Sequence, residues 1–217
     1  RGVQYLTLYA FSEENWLRPQ REVQFLMKLL NQYLMKYGQE LLTDNVRLKV
    51  IGDLSRLPSK SQVFLKNTVQ RLNANTGLVL TLALSYSGRK EIVETTRSLV
   101  QKAQDGLIDA KDIDEKLFRS EMQSSYLPDP DLLIRTSGEV RISNFLLFQL
   151  AYTEMSFPEC LWPQFGPSQF GEALKGFSQR QRRFGKINSE TKSDSFIKAG
   201  NSMMSKLNIN AGGEKTC

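Results

Sequence analysis

The sequence predicts an α/β fold: a central, mostly parallel sheet flanked by helices. Two observations predict it. Four apolar, β-rich runs, VQYLTLYAF (3–11), VRLKVIGD (46–53), LVLTLALSY (78–86) and DLLIRT (131–136), recur along the 217 residues. Patterns of helical period lie between them, the arrangement of βαβ units in a sheet covered on both faces.

The elements follow in order. The first run reads as a buried strand and empties into the loop SEENWLRP. Pro19 then stands at the start of a helix, where a missing N–H costs nothing. Over 21–37, Val23, Leu26, Leu30, Tyr33 and Leu34 fall on one face. After the second run Pro58 opens a second helical pattern, 59–73, and after the third run Gly88-Arg89 opens another, 89–103. In sheets of this kind ligands bind outside the carboxyl ends of the strands. Segments 12–18, 85–89 and 135–143 therefore share one rim. From about Lys186 the composition turns polar, and 186–217 is expected to be a frayed tail. The sequence begins in mid-pattern at Arg1, and the expectation is a chain missing its beginning.

Composition narrows the chemistry. No apolar run approaches the roughly 18 residues of a membrane span. Cys160 and Cys217 make no disulfide framework, which fits a reducing compartment. There is no histidine, which removes Ser-His-Asp and Cys-His catalysis and leaves a hard, oxygen-liking ion such as Mg²⁺ as the natural metal. The net charge of +6 comes from the C-terminal part: nine of the 29 Lys/Arg and three of the 23 Asp/Glu lie from Lys175 onward, leaving 20 of each before it. The fold itself is not a basic nucleic-acid-binding body.

Five stretches carry candidate chemistry. In DLLIRTSGEVRISN, Arg135 and Arg141 can each grip a phosphate bidentately. Gly138 permits a turn where backbone approaches an oxyanion, and Ser143 could cap a helix over NFLLFQLA. Two surface arginines in salt bridges are the plainer reading. The loop YAFSEENWLRP gathers Ser12, Glu13, Glu14, Asn15, Trp16 and Arg18, either an exposed acidic loop or a substrate loop whose Arg18 reaches the rim of Arg135. SYSGRKEI opens a helix with an arginine, a common structural feature. Glu154 is a carboxylate in an apolar stretch, solvated at a strand end or paired with a metal. RQRRFG is a solvated face or an RNA contact.

Together these stretches resemble the cis-prenyltransferase family, which includes the undecaprenyl and dehydrodolichyl diphosphate synthases. YAFSEENWLRP, VRLKVIGD, SYSGRKEI, DPDLLIRTSGEVRISNFLLFQLAYTEMSF, LWPQF and RRFG match in order across nearly all of residues 1–185. The resemblance implies a domain over 1–185 with an apolar product tunnel. It also implies homodimers or heteromers, and Mg²⁺-dependent condensation of isopentenyl diphosphate onto an allylic diphosphate with a cis double bond. By position, Arg135, Arg141 and Ser143 resemble the isopentenyl diphosphate site and Glu154 the metal-linked carboxylate. Ser12 and Arg18 resemble substrate-binding residues, and Asn15, Trp16 and Glu22 the catalytic loop and its edge. Arg183 and Gly185 resemble an element reaching a neighbouring subunit.

Some positions depart from the family pattern. The family's opening phosphate loop precedes the first strand and is absent from these residues, so the sequence as it stands is expected to be inactive. Glu13 replaces a small hydroxyl residue, and Ser85 and Ser87 stand where Asn and Gly are usual, a plant-type variation that favours a plastid over the cytoplasm or endoplasmic reticulum surface. A non-catalytic partner subunit of the same fold and an RNA-binding protein are the alternatives. Retention of Asn15, Arg135, Arg141 and Ser143 argues against the first, and neutral charge through residue 174 against the second. Membrane contact would come only through the lipid product.

Overall fold

A computed structural model describes residues 2–180. The chain divides into two units, Arg1–Phe177 and Ser178–Cys217, and the account below concerns the first. Its strands are β1 (Tyr5–Ser12), β2 (Arg47–Ile51), β3 (Val79–Tyr86), β4 (Leu132–Ile134) and β5 (Glu154–Ser156). Its helices are α1 (Gln20–Thr43), α2 (Ser59–Arg71), α3 (Gly88–Gln104), α4 (Glu115–Glu121) and α5 (Pro167–Ser178).

Every described strand pairing is parallel. β3 lies between β1 and β2, with Tyr5 and Arg47 both opposite Val79. β4 pairs with β5 in a separate two-stranded ladder, Leu132 opposite Glu154. The α/β prediction therefore holds, but DLLIRT does not join the other three runs in one ladder. Its partner is EMS, a strand too short and polar for periodicity to reveal. β3 is central because VLTLALSY is apolar on both faces, and even its Thr81 and Ser85 are buried.

Two cores cover the sheet. One joins Phe11, Leu48, Leu82 and Leu84 to Val23, Met27 and Leu34 of α1 and Leu65 of α2. The other joins Ile51, Ala83 and Tyr86 to Phe145, Leu146 and Leu150, with Tyr9 against it. Strict alternation would put Tyr86 on the side of Leu84. Ser85, at φ +50°, breaks the alternation, and β1 is irregular opposite it between Tyr9 and Ser12.

The predicted helices form, each longer or shorter by a few residues. α1 runs to Thr43 and buries Val23, Met27, Leu34 and Gly38, with Leu26 and Leu30 partly buried. Tyr33 is not on the core face: it is exposed and stacks on Tyr37 at 5.6 Å. The larger correction concerns 144–151. No helix forms there, because Ser143, Asn144 and Leu146 take φ of +48°, +63° and +43° and the chain proceeds in turns.

What anchors those turns is a carboxylate. Glu91, 4% exposed, accepts from the Tyr86 hydroxyl (2.6 Å), Ser124 N–H (3.0 Å) and Oγ (2.8 Å), and Gln149 Nε2 (3.0 Å). Burial, and then the charge of Glu91, push the Tyr86 phenol well above its ordinary value, so it stays a donor. Replacing Glu91 with Ala would strand these donors. The expected loss is about 3 kcal/mol or more in urea-unfolding stability, with Glu91→Gln losing less.

Candidate active site

The three rim segments meet, as expected, beyond the carboxyl ends of the strands. β1 delivers Ser12, and the chain turns at once because Glu13 N–H donates back to Tyr86 O at 3.0 Å. Ser12 and Asn15 cap one another: Ser12 N–H donates to Asn15 Oδ1 (2.9 Å) and Asn15 N–H to Ser12 Oγ (3.3 Å). Glu14–Leu17 therefore forms a single 3-10 turn. Asn15 spends its side-chain oxygen on this cap.

Trp16 is fixed within that turn. Its Nε1–H donates to Ser85 Oγ at 2.8 Å, and its ring stands edge-on to Phe11 at 4.9 Å. Arg18 stands at the end of the turn. It makes a 2.7 Å ion pair with Glu22, one turn into α1 and exposed like its partner. Trp16, Arg18, Val23 and Met27 face Arg56, Leu57 and Pro58 across an open cleft of about 480 Å³. Its lining is mixed: Trp16, Val23, Met27, Leu57 and Pro58 are joined by the two arginines and by polar side chains such as Gln20, Gln24 and Gln62.

On the other side, Arg135 follows β4 and donates from Nη1 to Ser143 Oγ at 2.7 Å. The Ser143 hydroxyl thus faces a guanidinium and caps no helix. Arg141 is exposed and paired with Glu139. Gly138 does take a positive φ, +65°. Its N–H, however, donates to Pro158 O (3.1 Å), and that of Ser137 to Cys160 O (2.9 Å), so these two amides are engaged within the protein.

Two residues outside the predicted set join the segments. Tyr9 OH lies 3.1 Å from Tyr86 O and 3.4 Å from Ser143 O, with its ring stacked on Phe145 at 4.5 Å. Burial and then Glu14 push its phenol well up, while Ser12 and Arg135 pull the other way. Asn144 is the second. Its Oδ1 accepts from Arg89 N–H (2.9 Å), its carbonyl from Gly88 N–H (2.8 Å), and its Nδ2 donates to Glu14 (2.7 Å) and Ser87 Oγ (2.8 Å). A Cβ on Gly88 would sit 3.0 Å from that carbonyl and 2.9 Å from Leu147 Cγ, so only glycine lets α3 approach. Asn144 and Ser87 together occupy the first amides of α3, which leaves no anion site at that terminus. Burial works against ionisation of Glu14, but the Asn144 hydrogen bond and the nearby Arg89 charge outweigh it and hold the carboxyl below its ordinary range. Asn144 lies inside an apolar-looking run, and sequence periodicity gave no sign of it.

Glu154 is half-buried at the start of β5, opposite Leu132. Arg135 lies three residues on from Leu132, about 10 Å along the strand at roughly 3.3 Å per residue. No group of three metal-binding side chains gathers among the described residues. Mg²⁺ is held through one or two carboxylates plus phosphate oxygens, so a single Glu fits as the protein's share of an ion site completed by substrate. Arg183 and Gly185 lie outside the described residues, as does the 186–217 tail.

Comparison with known proteins gives one answer. A family model described as putative undecaprenyl diphosphate synthase matches residues 1–185. An isoprenyl transferase of Bacillus subtilis is 49% identical over 86% of this chain and 72% of its own length. Dehydrodolichyl diphosphate synthase 2 of Arabidopsis thaliana is 48% identical over 85% of this chain and 60% of its own. Among solved structures, lavandulyl diphosphate synthase from Lavandula x intermedia, in complex with dimethylallyl diphosphate, superposes with a TM-score of 0.83 at 38% identity. That superposition covers 85% of this chain and 80% of the other.

The rim also contains a testable ion pair. Lys90 Nζ lies 2.8 Å from Asp53 Oδ2. The Lys90 hydrogen bond holds the Asp53 carboxyl below its ordinary value, and that same bond raises Lys90. Asp53's contribution to stability is therefore present above the ordinary carboxylate range and lost as pH falls through its depressed value. That of Lys90 is present below the ordinary lysine value and lost only as pH rises through its raised one. Asp53→Asn should cost no more than about 1 kcal/mol near neutrality, the pair being partly exposed. In melting curves the difference from the parent should shrink as the pH falls below the ordinary carboxylate range.

Proposed function

Because the chain belongs to the undecaprenyl diphosphate synthase family, the cis-prenyltransferases, we propose that its carboxyl rim binds two diphosphates and its cleft the growing apolar chain. The reaction is condensation of isopentenyl diphosphate onto an allylic diphosphate with a cis double bond. The observation that carries the assignment of the rim is Arg135 held by Ser143 beside the 12–18 loop, with Tyr9 and the Glu14–Asn144 bond tying the two together. In this reading Arg135, Arg141 and Ser143 bind the isopentenyl diphosphate. A guanidinium has five N–H donors and each arginine here is engaged by one side-chain partner, so both retain donors for phosphate oxygens. Arg141 would exchange Glu139 for the ligand.

Ser12, Asn15 and Trp16 shape the face between the substrates, and Glu22 orients Arg18 at the cleft mouth. The cleft walls, Trp16, Val23, Met27 and Leu57, suit a hydrocarbon chain and keep water from the allylic carbon as it develops positive charge. Glu154 would hold Mg²⁺ together with diphosphate oxygens. When bound, that ion neutralises charge on the departing diphosphate. A homodimeric assembly belongs to the same reading, as do Arg183 and Gly185 as contacts to a neighbouring subunit. The plant-type Ser85 and Ser87 support a plastid location, which a fluorescent fusion of the full-length protein would test against cytoplasm and endoplasmic reticulum.

Arg135→Ala is expected to weaken isopentenyl diphosphate binding roughly ten- to a hundred-fold, the value of a charge-assisted contact. An unchanged KM for that substrate would remove Arg135 from the site. Glu154→Gln, nearly isosteric, should lower kcat and raise the Mg²⁺ concentration needed for half-maximal rate. A magnesium titration matching the parent would assign Glu154 a structural part only.

A further inference from the structure

Glu13 opens the loop after β1, and the structure gives its carboxylate two cations. Oε1 lies 3.4 Å from Arg56 Nη1 and 3.6 Å from Lys90 Nζ. The Arg56 guanidinium in turn lies over the indole of Trp16, 5.0 Å from its centre. Lys90 also binds Asp53, whose carboxylate caps the 3-10 turn Leu54–Arg56 that carries Arg56. The contacts form a closed circuit through the loops that follow β1 and β2 and the start of α3. Trp16 is thereby held on three sides: Phe11 at its edge, Ser85 on its N–H, Arg56 over its ring.

We propose that Glu13 and Arg56 are positioning residues that clamp Trp16 as a fixed wall at the mouth of the cleft, which sets how readily an allylic substrate enters. The consequence for substrate rests on the reading of the cleft given above, whereas the clamp itself does not. Arg56 works through the ring, because a cation over an indole face is attracted by the ring quadrupole and its stem covers the ring from water. Glu13 keeps the guanidinium there and offsets its charge beside Lys90.

Trp16 and Trp162 are the two tryptophans of the 217 residues, so this chain carrying Trp162→Phe reports on Trp16 alone in fluorescence, and the full-length protein serves for the kinetics. In that background Arg56→Met should shift Trp16 emission to the red and raise its quenching by acrylamide. Arg56→Lys should restore part of both, and Glu13→Gln should give the same change to a smaller degree. With dimethylallyl diphosphate as probe, Arg56→Met should raise KM about five-fold with kcat nearly unchanged, the scale of one cation–π contact. Emission and quenching in Arg56→Met indistinguishable from the parent would overturn the clamp. Altered fluorescence with an unaltered KM would keep the clamp and overturn the cleft as the allylic site. Should Arg56→Met fail to fold, Glu13→Gln, nearly isosteric, carries the same readouts, and parent-like fluorescence in it would remove Glu13 from the clamp.

Discussion

A buried carboxylate, with no ion pair among the described residues, holds this site together. Glu91 is satisfied entirely by neutral donors from β3, from Ser124 and from Gln149. Removing a charge from water is tolerated only when its lone pairs are filled, and filling them draws three separate segments onto α3. The cost is visible in Gln149. Its Nε2 faces Glu91 while its Oε1 is buried without a partner among the described residues. Turning the amide would set that oxygen against the carboxylate and take its donor away. The charge wins, and the 145–150 segment is fixed accordingly.

From that anchor the chain runs back into the rim through three left-handed residues, Leu146, Asn144 and Ser143. Such conformations cost of order 1 kcal/mol each for residues with a Cβ and persist only where the surroundings determine them. Here they do: Asn144 is bonded on its carbonyl and on both side-chain atoms, and Phe145 stacks on Tyr9. The turn aims the Ser143 hydroxyl at Arg135. Glu91, Asn144 and Ser143 are thus successive parts of one device, in which a core charge orients a surface hydroxyl.

The rim's principal cations are paired within the protein: Arg18 with Glu22, Arg56 with Glu13, Lys90 with Asp53, Arg141 with Glu139. Exposed pairs of this kind contribute little to stability. Their value is positional. They keep long side chains oriented at the strand ends.

The α/β class, the parallel sense of the strands, and the positions of α1, α2 and α3 were legible in the sequence, as was the gathering of 12–18, 85–89 and 135–143 on one rim. These follow from local rules. Apolar runs that lack alternation must be covered on both faces, proline marks helix starts, and parallel strands place their following loops at a common end. What the sequence could not settle depended on partners distant along the chain. NFLLFQLA has a helix-like composition, yet it lies in turns because Asn144 is bound to Glu14, Ser87 and α3, and Gln149 to Glu91. EMS is a strand only because Leu132–Ile134 is beside it. Glu91 and Glu154 look alike in sequence as carboxylates in mixed surroundings, and tertiary packing alone buries the first and leaves the second half-open. Arg18 and Arg56 differ likewise only through their neighbours, one drawn to Glu22 in the first turn of α1, the other held over Trp16 by a glutamate 43 positions away.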